Sequence, residues 1–186
     1  MGLIGWLKRE EPEARKRRRE WRSVWNTSIE SEDGTRLGQL RAGLAGLDDD
    51  GGDVEVELEM VDALEQLLAL RRSAADGALP VVETHHRVIG VEACHFTAPA
   101  SLPADPAQPS GRVLFTSSRS LFIGGGTTTG LPWHAVQHIV RQERDLLLAR
   151  AGGTDGAHFR FNNYADAVVS AFLARRLKTA RSARVL

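Results

Sequence analysis

Two different apolar periods divide this chain. From Val54 to Ala75, the residues Val54, Leu58, Val61, Leu64 and Leu68 recur every three or four positions, and Met60 and Leu67 widen the stripe. That spacing puts them on one face of an α-helix. Asp53 is placed to cap this helix, Glu57 suits its positive first turn, Arg71 and Arg72 suit its negative last turn, and Gly77 ends it. A second helix is predicted over about residues 9–25. Pro12 fits its first turn, and Trp21 and Trp25, four apart, share one face. Residues 26–53 read as a linker. Six glycines (Gly34, Gly38, Gly43, Gly46, Gly51, Gly52) and the run Asp48-Asp49-Asp50 interrupt any long period, leaving room for a short helix around Leu37–Leu44.

After Leu79 the apolar runs become short. They are Val81-Val82, Arg87–Phe96, Val113–Thr116, Leu121–Ile123, Thr127–Leu131, Gln137–Arg141, Leu146–Ala149 and His158–Phe161. The first two lead into a Pro-rich loop. About seven short strands separated by turn residues predict an antiparallel sandwich or barrel. Pro99, Pro103, Pro106 and Pro109 mark a long loop, and Gly124-Gly125-Gly126 marks a hairpin turn. A phosphate loop would open onto a helix, with a lysine in the nucleotide-triphosphate version; here a strand follows and no lysine is near. A last helix is predicted after Asn162 or Asn163 as cap. Tyr164, Val168, Ala171, Phe172, Leu173 and Leu177 face inward, and Arg175, Arg176 and Lys178 lie at the C-terminal end. The expected organisation is a helical region at 1–78, a β-rich domain at 79–178 and a tail at 179–186.

Composition narrows the class without naming a reaction. With 186 residues and 42% hydrophobic content the chain can bury a real core. Collagen, a disulfide scaffold, a wholly disordered chain and a multi-span membrane protein are excluded. The 24 basic and 24 acidic residues cancel, but unevenly. Residues 1–79 carry net −5 and residues 80–186 net +5. Within the first part, Lys8–Arg22 is net +4 and Glu30–Asp76 net −9. Such asymmetry suggests docking of the acidic segment on basic surface of the same chain or two different partner surfaces, with charges that merely keep helices solvated as the plain alternative. Cys94 is the single cysteine, so no internal disulfide forms. The apolar start at Leu3–Leu7 is too short for a secretory signal, and no run nears the roughly 18 residues of a membrane span. The expected location is cytoplasmic, with a peripheral membrane association as the variant.

That variant rests on Leu3, Trp6 and Leu7 followed by Arg15, Lys16, Arg17, Arg18 and Arg19, the pattern of an interfacial helix with a polybasic flank for anionic lipid. Against it, Glu10, Glu11, Glu13 and Glu20 dilute the charge, and the tryptophans can dock on the protein itself. His85, His86, Cys94 and His95 tempt a metal reading. Zinc needs converging ligands, whereas adjacent residues of a strand point to opposite faces. No Gly-x-Ser-x-Gly elbow is present, and the scattered basic residues of the β-rich part lack an aromatic stacking strip, which argues against nucleic acid. The reading is therefore no catalytic, metal or cofactor residue. The apolar stripe of helix 54–75 also offers a route to homo-oligomers.

The segment Gly111–Ile123, an apolar strand, a Thr-Ser-Ser-Arg turn and a second apolar strand, resembles the hairpin of GRAM and bacterial pleckstrin-homology-like (PH-like) domains. Leu131-Pro132-Trp133-His134-Ala135-Val136 is similar to their next element, and Phe159–Asn163 to their closing strand before a helix. The resemblance covers about half the chain. It implies an α+β fold: a bent seven-stranded antiparallel sheet capped by a C-terminal helix, after an N-terminal helical region. It also implies a binding fold for lipids, peptides or protein partners. The loop Ala98–Ser110 contains no lysine or arginine, so the charge-assisted bonds of an inositol-phosphate pocket are not expected there. Within the matching motifs Arg112, Arg119, Trp133 and His134 form the expected partner surface. The expected function is a non-enzymatic binding or scaffold module for an unidentified protein partner, acting through a sheet edge or the groove beside the helix, with anionic-lipid binding as the alternative and, ranked below both, a small metal-binding protein or enzyme centred on His85, Cys94 and His95.

Overall fold

The computed structural model describes residues 12–48, 53–75, 77–150, 152 and 156–182. Three helices come first: α1 (Glu13–Glu30), α2 (Leu37–Asp48) and α3 (Glu55–Ser73). Seven strands follow: β1 (Cys94–Ser101), β2 (Ser110–Thr116), β3 (Arg119–Gly124), β4 (Thr127–Pro132), β5 (Val136–Gln142), β6 (Asp145–Arg150) and β7 (Ala157–Phe161). Helix α4 (Tyr164–Ser182) comes after the last strand.

The segment read as a linker is largely helical. α1 runs on to Glu30, and α2 occupies twelve residues with Leu40 and Leu47 buried. The glycines misled because one of them serves packing rather than turning. A Cβ on Gly43 would sit 2.8 Å from Cδ1 of Trp21, so only glycine lets α2 lie this close to α1. Trp21 then donates from Nε1 to the Leu40 carbonyl at 2.9 Å. The Asp49–Gly52 part of that reading lies outside the described residues.

α3 forms where the apolar period placed it, and Asp53 accepts from the Glu55 N–H at 2.8 Å as its start. Its inward stripe is rotated from the expected one. Met60, Val61, Ala63, Leu64 and Leu67 are buried, Leu58 is 48% exposed, and Glu57 is fully buried. Arg22 of α1 meets the Glu57 carboxylate at 2.7 Å and Arg18 approaches at 3.6 Å. Those charges make Glu57 tolerable in the core. Most of the stripe proposed for oligomerisation is thus spent inside the chain, against α1, α2 and α4.

All strand pairings are antiparallel, in the order β4-β3-β2-β1-β7-β6-β5. Seven antiparallel strands closed by a C-terminal helix give the α+β, PH-like architecture that the resemblance implied. The sheet bends at β1, which pairs with β2 along its whole length but with β7 only at Ala100 and Ser101. The expected strand content around Val81–Val91 is absent. That segment is irregular, with one 3-10 turn at Arg87–Ile89, and its end is tied down by Glu92. Glu92 accepts from Ser118 Oγ at 2.7 Å and pairs with Arg119 at 3.1 Å. Burial alone would raise its carboxyl pKa; the Ser118 and Thr116 hydroxyls and Arg119 outweigh burial and hold it below the ordinary value.

One apolar core spans helices and sheet. Trp25 is its hinge point, with its ring edge-on to Tyr164 of α4 at 5.6 Å and its Nε1 donating to the Met60 carbonyl of α3. Asn163 caps α4 as expected: Oδ1 accepts from the Asp166 N–H at 2.6 Å and Nδ2 donates to the Asp166 carboxylate at 2.8 Å. No helix among the described residues is long and apolar enough to cross a membrane.

Candidate docking edge and its cavity

The sheet has two edge strands, β4 and β5, because each stands at one end of the strand order. β4 is reached through a two-residue hairpin turn at Gly125-Gly126. Both glycines take positive φ (58° and 74°), the requirement of a type I′ turn, whose twist matches the flanking strands. This turn pairs Thr127 with Gly124, so Thr127, Thr129 and Leu131 direct their backbone groups to β3. By alternation Thr128 and Gly130 direct theirs away from the sheet. Thr127, Thr128, Thr129 and Gly130 are all exposed. The edge carries no charge, no bulge and no proline before Pro132. Those are the devices by which natural sheets block pairing with another chain.

Beside β4 lies a cavity of about 200 Å³. Ser120, Thr129, Gly130 and Leu131 form one wall and Arg150, Gly156 and Ala157 the other. Phe122 and Phe159, stacked 6.4 Å apart at 21°, form its aromatic part. Arg150 is the sole charged residue among the described lining residues. Its Nε–H is buried and has no hydrogen-bond partner.

A larger groove, about 940 Å³, runs between the helical region and the β5–β6 hairpin. It is lined by Arg22, Arg144 and Arg160 together with Glu143, Asp145 and Tyr164. Each arginine is already paired: Arg22 with Glu57, Arg144 with Glu59, and Arg160 with Asp145 at 2.8 Å. Glu59 also accepts the Tyr164 N–H at the start of α4. The Arg160 guanidinium holds the Asp145 carboxyl below its ordinary pKa, against the opposing pull of burial and with help from His158. This groove is a seam of internal ion pairs. Of the two suggested uses of the charge asymmetry, it shows contact within the chain: Glu57 meets Arg18 and Arg22 of α1, and Glu59 meets Arg144 of the β5–β6 turn.

The four expected surface residues are not gathered into one patch. Arg112 is exposed at one end of the β2–β3 hairpin, and Arg119 sits at the other end, half-buried against Glu92. His134 is exposed. Trp133 must be withdrawn from any surface: it is fully buried, donates from Nε1 to the Thr116 carbonyl at 2.8 Å, and stands edge-on to Phe115 at 5.1 Å. A tryptophan after a proline has no sequence mark that tells a core ring from a contact ring. Of the basic helix, Arg15, Lys16, Arg17 and Arg19 are exposed, and Arg18 turns toward Glu57 and the Asp53 carbonyl. Leu3, Trp6 and Leu7 lie outside the described residues. Cys94 is buried, its thiol pKa raised by burial, and its S–H donates to the Phe96 carbonyl; the neighbouring His95 ring meets the Pro80 carbonyl instead. His85 is exposed. The β4 edge and Arg150 were missed because an uncharged threonine run and a lone arginine carry no motif. Only the glycine turn, which fixes which backbone groups point outward, was readable beforehand.

No family model matches the chain, and no curated protein matches it. Among solved structures, it is similar to the C-terminal domain of an unknown protein from Leishmania infantum, at 11% identity and a TM-score of 0.41, over 59% of this chain and 94% of that one. It is also similar to the Vps36 N-terminal PH domain, at 16% identity and a TM-score of 0.41, over 55% of this chain and 95% of that one. Both likenesses are too distant to carry a function across.

Proposed function

We propose that this chain is a non-enzymatic binding module that takes up an extended segment of a protein partner as an added strand along β4. The observation that carries this reading is the outward N–H and C=O groups of Thr128 and Gly130 on an exposed edge with no blocking residue. Strand addition draws affinity from such main-chain bonds and specificity from pockets for alternate side chains. β4 has both, since the cavity opens beside Thr129. At 200 Å³ that cavity is smaller than the roughly 300–1,000 Å³ usual for a small-molecule site, and it suits a single side chain.

The test is a selection of random twelve-residue peptides on the immobilised full chain, followed by Thr128→Pro. Proline at this position removes an outward donor while leaving the bonds to β3 intact. Selected peptides should lose binding to Thr128→Pro at least tenfold. Peptides that bind this variant as well as the parent would overturn the reading.

A second reading follows from the exposed stretch Arg15, Lys16, Arg17 and Arg19, which suits an anionic lipid surface. It expects sedimentation with phosphatidylserine vesicles at low salt that 0.5 M salt abolishes, and loss of sedimentation in Trp6→Glu. Absence of sedimentation at low salt rejects it.

A further inference from the structure

Arg150 ends β6 opposite Val136 and reaches the space beside the free edge of β4. Its Nε–H is buried without an acceptor, and no described acidic residue lines the cavity. A buried guanidinium N–H left unpaired is costly, and a carboxylate is the partner that best relieves it, through a short charge-assisted bond. The rest of the cavity wall, built from Phe122, Phe159, Leu131 and Ala157, suits a methylene stem rather than a second polar group.

The register says where such a carboxylate comes from. Thr129 pairs with the buried Phe122, so Thr129 and Leu131 lie on the side of β4 that faces the cavity. A strand paired outside β4 turns every second side chain to that same side. One of them meets the cavity mouth.

We infer that this cavity is a specificity pocket for an acidic side chain of the added strand, with Arg150 as the residue that reads its carboxylate. The inference rests on strand addition at β4. Glutamate is the best occupant, because its two methylenes lie along the aromatic wall while its carboxylate reaches Arg150.

The test uses the full chain and the peptides selected above. The selected sequences should share one acidic position among alternating β-branched residues. For the strongest binder, exchanging that glutamate for glutamine should weaken binding about tenfold, and in Arg150→Gln the two peptides should bind equally. The unmodified protein supplies a readout that needs no variant: the Arg150 Nε–H resonance should move downfield with the glutamate peptide and stay in place with its glutamine twin. Selected peptides that Thr128→Pro blocks but that show no acidic preference would overturn the pocket and leave strand addition standing. An unmoved Arg150 resonance, or a glutamate preference that persists in Arg150→Gln, overturns it too. Peptides indifferent to Thr128→Pro, or no enrichment at all, reject strand addition itself and the pocket with it.

Discussion

β4 and β5 are the two edges of one sheet, and they are finished in opposite ways. β5 begins with a register shift between Val136 and His138, and a bulge of this kind twists an edge out of line. α4 packs along it, and Lys178 donates to the Gln137 carbonyl. Arg141 of β5 stands over the Trp25 ring at 5.1 Å and donates to the Asn26 side chain of α1 at 3.0 Å. β4 has none of these. Its sole neighbour in the sheet is β3, and its outer residues are threonines and a glycine. The helical region and α4 therefore close one edge and leave the other available. A sheet that needed only stability would gain from blunting both.

The comparison can be broken at its strongest point by Trp25→Ala. This change removes the ring that joins α1, α3, α4 and the β5 edge, and it should cost about 3–5 kcal/mol, read as a lower urea midpoint. The β4 side should feel it only through global unfolding. Arg141→Ala strips the charge that guards β5 and the cation–π contact with Trp25. A loss of about 1 kcal/mol is expected, together with a new tendency to self-associate in sedimentation velocity. A stable, strictly monomeric Arg141→Ala protein would show that α4 alone closes that edge.

Acid should weaken the β5–β6 side through Asp145. The Asp145 carboxyl is held low in the folded chain, so its contribution to stability is present above the ordinary carboxylate pKa of about 4 and is lost as pH falls through its folded value. Asp166 has the opposite sign. Burial raises its carboxyl, with Asn163 opposing, so protonation of that group favours the folded state. Urea midpoints between pH 6 and pH 3 should therefore fall less steeply in Asp145→Asn and more steeply in Asp166→Asn than in the parent. The smallest effect on stability is expected from Thr128→Pro, within about 1 kcal/mol, because an edge strand can hold a proline whose missing N–H faced solvent. That near-silence, set beside a large loss of peptide binding, separates an edge kept for pairing from an edge kept for stability.

The β-rich part was legible because its strands are short apolar runs separated by turn residues. The apolar runs Val113–Thr116, Leu121–Ile123 and Leu146–Ala149 supply buried residues directly, and Gly124-Gly125-Gly126 admits little besides a tight turn. The helical part was less legible wherever a residue had two uses. Gly43 looked like a chain breaker and is a packing glycine under Trp21. Glu57 belongs to a polar pattern by type and to the core by position, because Arg22 lies across it; Leu58 was displaced to the surface in return. None of these outcomes is local. Each depends on which helix lies opposite.

Taken alone, the sequence determined the type of most elements, though not α2 or the irregular stretch before β1, together with the hairpin between β3 and β4, the cap of α4 and the separation of acidic from basic segments. These follow from backbone periods of 3.6 and 2, from glycine's access to positive φ and from simple charge, all of which act within a few residues. Tertiary structure decided which face of α3 is inside, that Trp133 is core rather than contact, and which sheet edge stays open. It also brought Arg150 next to β4. Those are pairings between residues far apart in the chain, fixed by mutual fit in the core, and no local period carries them.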